Sequence, residues 1–174
     1  MTIANGTAAS VQGCIEACER CGQVLDAITP EHFASAGRDH QPIGAHLRHS
    51  LEHMICFVQG LPDGLVDYDA RARDEVMERD PAVFRKALNE LKDSIRSISP
   101  ECLSDAIRVR QTASLDSEPV VLGSTVEREL VFLSSHTIHH VALVVQFCRE
   151  EGIELPEEIS LAYSTSAYLK NSLR

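Results

Sequence analysis

Apolar residues recur at helical spacing in four stretches of the chain. Val11, Ile15, Cys18 and Leu25 fall at turn spacing and predict a first helix from about Ala8 to Ile28, ended by Thr29-Pro30. A polar loop, EHFASAGRDHQ, follows. Pro42 suits a first helical turn and opens a second helix through IGAHLRHSLEHMICFVQGL, stopped by Pro62-Asp63-Gly64. LVDYDARARDEVMERD is irregular at first and highly charged. Asp80-Pro81 then combines an N-cap with proline at the first helical position. The third helix runs to about Ile98, with Val83, Phe84, Leu88, Leu91 and Ile95 on one side, and Ser99-Pro100 ends it.

The period then changes. Ile107, Val109 and Gln111 alternate with Arg108, Arg110 and Thr112, which is strand-like. LDSEP can turn and VVL can return, giving a small β-hairpin. Ser124-Thr125-Val126-Glu127 fits a capping box for a fourth long helix, which reaches Glu151 and is C-capped by Gly152. The tail, LPEEISLAYSTSAYLKNSLR, has room for a short final helix. Four long amphipathic helices predict an all-α fold, an antiparallel four-helix bundle with the hairpin before the last long helix. The whole chain, 1–174, reads as a single domain. The element order leaves room for a crossover.

Charge narrows the classes of partner. A formal charge of -10 argues against non-specific binding to nucleic acid or anionic lipid, since both need a basic face. There is no Trp to build a platform for stacked bases. The apolar runs look too short to cross a bilayer, and MTIANGTAAS lacks the basic-then-apolar pattern of a signal peptide. The expectation is a cytoplasmic protein with no nucleic-acid or membrane partner. Cys14, Cys18 and Cys21 have a C-x3-C-x2-C spacing that can hold an iron–sulfur cluster. They fall on a predicted helix rather than a loop, so they are expected to be small core residues. No disulfide framework is expected.

Histidine changes the picture most. Six of the eight histidines lie on the second and fourth long helices. His136 and His140 are four residues apart, so they project about 40° from each other on one face, one turn apart. That is how H-x-x-x-H presents two nitrogens to one metal ion. Phe132, Leu143 and Phe147 continue their stripe, whereas His139 shares a more polar stripe with Ser135, Ala142 and Gln146. His136 and His140 are the expected inward pair. His46, His49 and His53 share one side of the second helix. His46 and His53 are about 10 Å apart along the axis, too far to serve one ion. His49, between them, is the expected third ligand, with His46 and His53 flanking the pocket. Three imidazoles leave a coordination position open, as in catalytic rather than structural sites. Nitrogen donors suit Zn, Ni, Fe, Co or Mn.

Two further residue groups adjoin this set. Glu129 lies on the face of His136, where it could orient a ligand or act as a base; a solvated carboxylate favouring the helix dipole is the simpler expectation. Asp67, Asp69, Arg71, Arg73 and Asp74 read as a solvated link with local ion pairs, with Arg71 or Arg73 binding a substrate carboxylate as the functional alternative. No G-x-S-x-G elbow exists, so Ser134, Ser135 and Thr137 do not suggest a serine hydrolase.

IGAHLRHSLEHM, VDYDARARD and STVERELVFLSSHTIHHVALV together resemble the DinB/YfiT-like superfamily, over roughly Gly13 to Tyr168. The resemblance implies a metal-binding four-helix bundle, often dimeric, with one ligand from the second helix and an H-x-x-x-H pair from a later one. Carried over by position, these are His49, His136 and His140, with His46 and His53 as rival alignments for the first. It also implies a small-molecule substrate and, by analogy with thiol-dependent relatives, a low-molecular-weight thiol as a possible cofactor. The expected function is a metal-dependent transferase or hydrolase, in which the ion activates a thiol or water. The alternatives are a non-catalytic metal-binding or sensing module and a metal-free assembly bundle.

Overall fold

Residues 7–35 and 41–172, described by a computed structural model, form seven α-helices and a three-stranded sheet. Residues 1–6 of the N-terminal stretch, 36–40 of the expected polar loop and 173–174 of the tail lie outside them. The helices are α1 Ala9–Ala27, α2 Pro30–Ala34, α3 Ile43–Gly60, α4 Glu75–Arg79, α5 Pro81–Arg96, α6 Val126–Glu150 and α7 Tyr163–Ser172. The strands are β1 Leu65–Asp67, β2 Ala106–Gln111 and β3 Val120–Thr125.

The long helices α1, α3, α5 and α6 bury their apolar faces in one core. α6 packs on α1 and α3, and α5 packs on the same two. Phe57, Phe84, Leu47, Leu130 and Val24 are wholly buried where they meet. The cysteines of α1 belong to this core, as expected. Cys14 Sγ donates to the Leu130 carbonyl at 3.1 Å, and Cys18 Sγ lies 3.7 Å from Met54 Sδ. Burial pushes both thiols up to about 12, so neither is a ready thiolate.

Local chemistry fixes the helix ends. The Asp80 carboxylate accepts from the Ala82 and Val83 amides, starting α5 at Pro81. Past α6, Gly152 takes φ +76°, and the Ile153 amide reaches the Cys148 carbonyl at 2.8 Å, a Schellman closure. At the other end of α6 the expected capping box is replaced. Thr125, not Ser124, caps by accepting from the Arg128 amide at 3.2 Å. The Ser124 hydroxyl donates to Glu129 instead.

The sheet is larger than the expected hairpin. β2 and β3 pair antiparallel, with Val109 opposite Leu122, and β1 adds parallel to β2, with Val66 opposite Val109. A parallel pair needs a long crossover. Here α4 and α5 supply it, in and after a stretch that the charge pattern presents as irregular. α2 likewise forms where only loop was expected, started by Thr29, which accepts from the His32 amide. By length and composition α6 is apolar enough to cross a membrane, contrary to the expectation from short apolar runs, but Leu130, Leu133, Val141 and Val144 of this helix are fully buried in the core.

Candidate metal centre

α3 and α6 pack side by side and bring their histidines together. The ring centroids of His49 and His136 are 5.2 Å apart, His49 and His140 4.7 Å, and His136 and His140 4.7 Å. One nitrogen from each of these three lies within 4.8 Å of the others, so the group could hold a metal ion. Ligand nitrogens sit about 2.0–2.1 Å from zinc-like ions, which small side-chain rotations would achieve here. All three residues are half-buried, beside the fully buried stripe of α6 rather than within it. The pair expected to point inward therefore lines the flank of the core.

The donors have the right protonation state. Burial pushes His49 down to about 3, aided by His53, and burial pushes His140 down to about 4, aided by His136. His136 is lowered for the same leading reason. Neutral imidazoles keep the lone pairs that a metal needs. His136 Nδ1 is also buried without a hydrogen-bond partner among the described residues. An unpartnered nitrogen in this position fits a metal ligand.

The flanking histidines differ from each other. His53 Nδ1 donates to the His49 carbonyl at 2.7 Å, and its Nε2 lies 3.0 Å from Arg71 Nη1 and accepts from it. Both ring nitrogens of His53 are engaged, so this rival for the ligand role is a supporting residue. His46 Nδ1 lies 3.5 Å from His140 Nδ1, and its ring is 5.2 Å from Phe147. With the proton on His140 Nδ1, that contact leaves His140 Nε2 as the ligand atom, and His46 orients the ring. His139 is exposed, as its stripe predicted. The Phe132 ring stacks on His136 at 5.6 Å and an angle of 19°.

Two expectations about neighbouring charges are corrected. Glu129 is no solvated carboxylate. It is 3% exposed and accepts from Tyr68 Oη at 2.7 Å and Ser124 Oγ at 2.6 Å. It thus ties α6 to the residues after β1, and the Tyr68 ring so placed lies 5.5 Å from His53 and 5.9 Å from Phe132. Burial and the Glu129 carboxylate push the Tyr68 phenol up.

In the Asp67–Asp74 stretch the pairing is not of the local kind expected but reaches distant residues. Asp67 pairs with Arg110 at 2.6 Å, Asp69 accepts from Thr112 at 2.9 Å, and Arg71 Nη1 bonds both the Tyr68 carbonyl and His53. Arg73 is exposed and adopts φ +53°, a left-handed backbone rare outside glycine. Glu52, 2% exposed, anchors the end of the stretch by accepting from the Asp74 amide at 2.7 Å while pairing with Arg48 at 2.6 Å. Periodicity could not reveal Tyr68 or Glu52 as site supports. Tyr68 lies outside any helix, and Glu52 looks like an ordinary charge between histidines. Ser134 donates to the Val131 carbonyl at 3.0 Å, which agrees with its exclusion as a nucleophile.

No family model matches the chain, and no solved structure matches it. Among curated proteins, FK506-binding protein 5 of Rhizopus delemar is 29% identical over 107 residues, covering 61% of this chain and 28% of that protein. The chain therefore spans less than a third of that relative's length, and the match does not establish a family.

Proposed function

We propose that the chain is a metal-dependent enzyme of the DinB/YfiT-like type, with His49, His136 and His140 holding one divalent ion. The observation that carries this reading is the meeting of three uncharged, half-buried imidazoles from two helices, one with an orphaned nitrogen. The donor set is all nitrogen and leaves a vertex open, which suits Zn, Ni, Fe, Co or Mn in a catalytic setting. When bound, such an ion supplies Lewis acidity that acidifies a coordinated water or thiol. The chain's own part is to hold the donors neutral, to orient His140 through His46, and to shield one side of the site with Phe132.

Two features support placing it with the DinB/YfiT-like proteins. α5 and α6 each pack on both α1 and α3, which supports a bundle, and the resemblance of the two histidine-bearing segments points the same way. A small-molecule substrate, a low-molecular-weight thiol and a homodimer follow from that resemblance and belong to the same proposal.

A second reading, a metal-binding or sensing module without turnover, is favoured by one observation. The buried carboxylates on the two ligand-bearing helices are both engaged, Glu129 by Tyr68 and Ser124 and Glu52 by Arg48 and the Asp74 amide, and are poorly placed to act as a base.

Elemental analysis of untagged protein, followed by turnover assays with panels of thiols and electrophiles, tests the proposal. One ion per chain, lost in the His136→Ala, His140→Ala double variant, is the expected result, together with metal-dependent turnover. Metal-loaded protein inert across both panels would leave the sensing module. Equal metal content in wild type and double variant would remove the metal site itself.

A further inference from the structure

The electrostatics of the candidate centre are unbalanced, and the imbalance names a substrate class. All three proposed ligands are neutral, so a bound divalent ion keeps its full charge. Arg71 adds a guanidinium. Its Nη1 is fixed by His53 Nε2 and the Tyr68 carbonyl, while His53 lies with its ring 4.4 Å from that of His49 and 4.5 Å from that of His136. The guanidinium is thus one imidazole away from the ligand set, and its charge reaches both His49 and His136.

Among the described residues, no nearby carboxylate bonds it directly. Glu129 is engaged by Tyr68, Ser124 and Arg128; Glu52 by Arg48 and the Asp74 amide; Asp67 by Arg110; Asp69 by Thr112; Asp74 by the amides that open α4. Among the described residues, Arg71 has no carboxylate partner, and its Nε and Nη2 have no hydrogen-bond acceptor. A half-buried cation beside a second cation is costly unless an anion joins them. A chain of net charge -10 that keeps such a spot has a place for one.

Resting on the metal reading above, we propose that the site takes a small carboxylate, one oxygen on the open vertex of the ion and the other on the free edge of the Arg71 guanidinium. A carboxylate bridging the two would span about 6 Å, from metal–oxygen and charge-assisted N–O distances. The Nε and Nη2 edge of the guanidinium offers two N–H donors to that second oxygen, which a lysine would not. The Asp67–Arg110 pair and the bond from the Asp74 amide to Glu52 hold the segment that carries Arg71, which makes Asp67 and Glu52 positioning residues.

The test uses the full chain loaded with Co(II), whose visible spectrum reports ligands entering the open vertex. Acetate and imidazole are the probes, one anionic and one neutral. In Arg71→Gln, acetate affinity is expected to fall tenfold or more, with imidazole affinity and cobalt content unchanged. Arg71→Lys keeps the charge without the fork, so a smaller loss is expected. Melting curves of both variants check that the segment is still folded, and Arg71→Lys decides if Arg71→Gln is not. Unchanged acetate affinity in a folded variant that retains cobalt would overturn the inference alone. Wild-type protein that retains no cobalt would overturn the metal reading, and the inference with it.

Discussion

His49 and His53 are four positions apart on one helix, yet the two imidazoles have different partners. His49 faces His136 and His140 with a lone pair to offer, whereas His53 is held at both nitrogens by the His49 carbonyl and Arg71. Substitution should separate them. His49→Ala is expected to weaken metal binding by at least about 100-fold, as loss of a ligand does, and His53→Ala by about tenfold, in the range for an outer partner. Competition against a chromophoric chelator measures both, and equal losses would mean that His53 ligates after all. That His136 and His140 come together was legible in the sequence because helical geometry turns a spacing of four into a shared face. That His49 meets them was legible from its place between His46 and His53, which are too far apart to reach one point. The supports were not. The partners Tyr68 and Glu129 are 61 residues apart, and only the tertiary fold joins them. Tyr68→Phe removes one donor from a buried carboxylate and should cost about 1–3 kcal/mol. A lower urea midpoint at unchanged slope is the expected signature; an unchanged midpoint would show that the Glu129 network has no structural weight.

The long helices were readable at the level of elements because each carries its own evidence, an apolar stripe with a stop or a cap at its ends. α2, α4 and β1 were not. They are three to five residues long, too short for a period, and exist because of what they pack against. β1 pairs with β2 only after the intervening helices have turned the chain back. α4 is fixed by close contact with α3. A Cβ at Gly44 would lie 1.9 Å from the Glu78 carbonyl oxygen and 2.7 Å from the Phe33 ring, and Glu78 also holds Arg48 at 3.0 Å. Gly44→Ala should therefore push α4 off α3 and destabilise by about 1–3 kcal/mol, the usual cost of overpacking. Gly123 in β3 is the control. A Cβ there meets nothing within 4 Å, so Gly123→Ala should shift stability by no more than about 0.5 kcal/mol. Thermal melts of the two variants side by side give the answer, and equal losses would show that the close approach at Gly44 is not what sets the α3–α4 contact.

For the molecule as a whole, the candidate centre links stability to protons and to metal. Without metal, burial holds His49 near 3 and His53 and His140 near 4 in the folded chain. In the unfolded chain the same groups return to about 6.5. Between those limits the unfolded state binds more protons than the native one, so stability rises with pH across the window. It is fully present above about 6.5 and is lost as pH falls toward 4. Substituting His49, His136 and His140 together by alanine removes two of these groups and the lowered His136, so the variant should lose less stability over that range than wild type does. A bound ion acts in the same sense and steepens the dependence. It stabilises the native state by mass action, and its ligands must be deprotonated, so its contribution is largest near neutrality and fades as protons compete. Melting temperatures of metal-loaded, chelator-stripped and triple-variant protein from pH 7.5 to 4.5 read both effects at once. The loaded and stripped curves should converge on acidification, while the stripped wild type falls more steeply than the triple variant. Parallel curves for wild type and variant would mean that these imidazoles are not desolvated, and a chelator without effect at pH 7.5 would mean that they hold no ion.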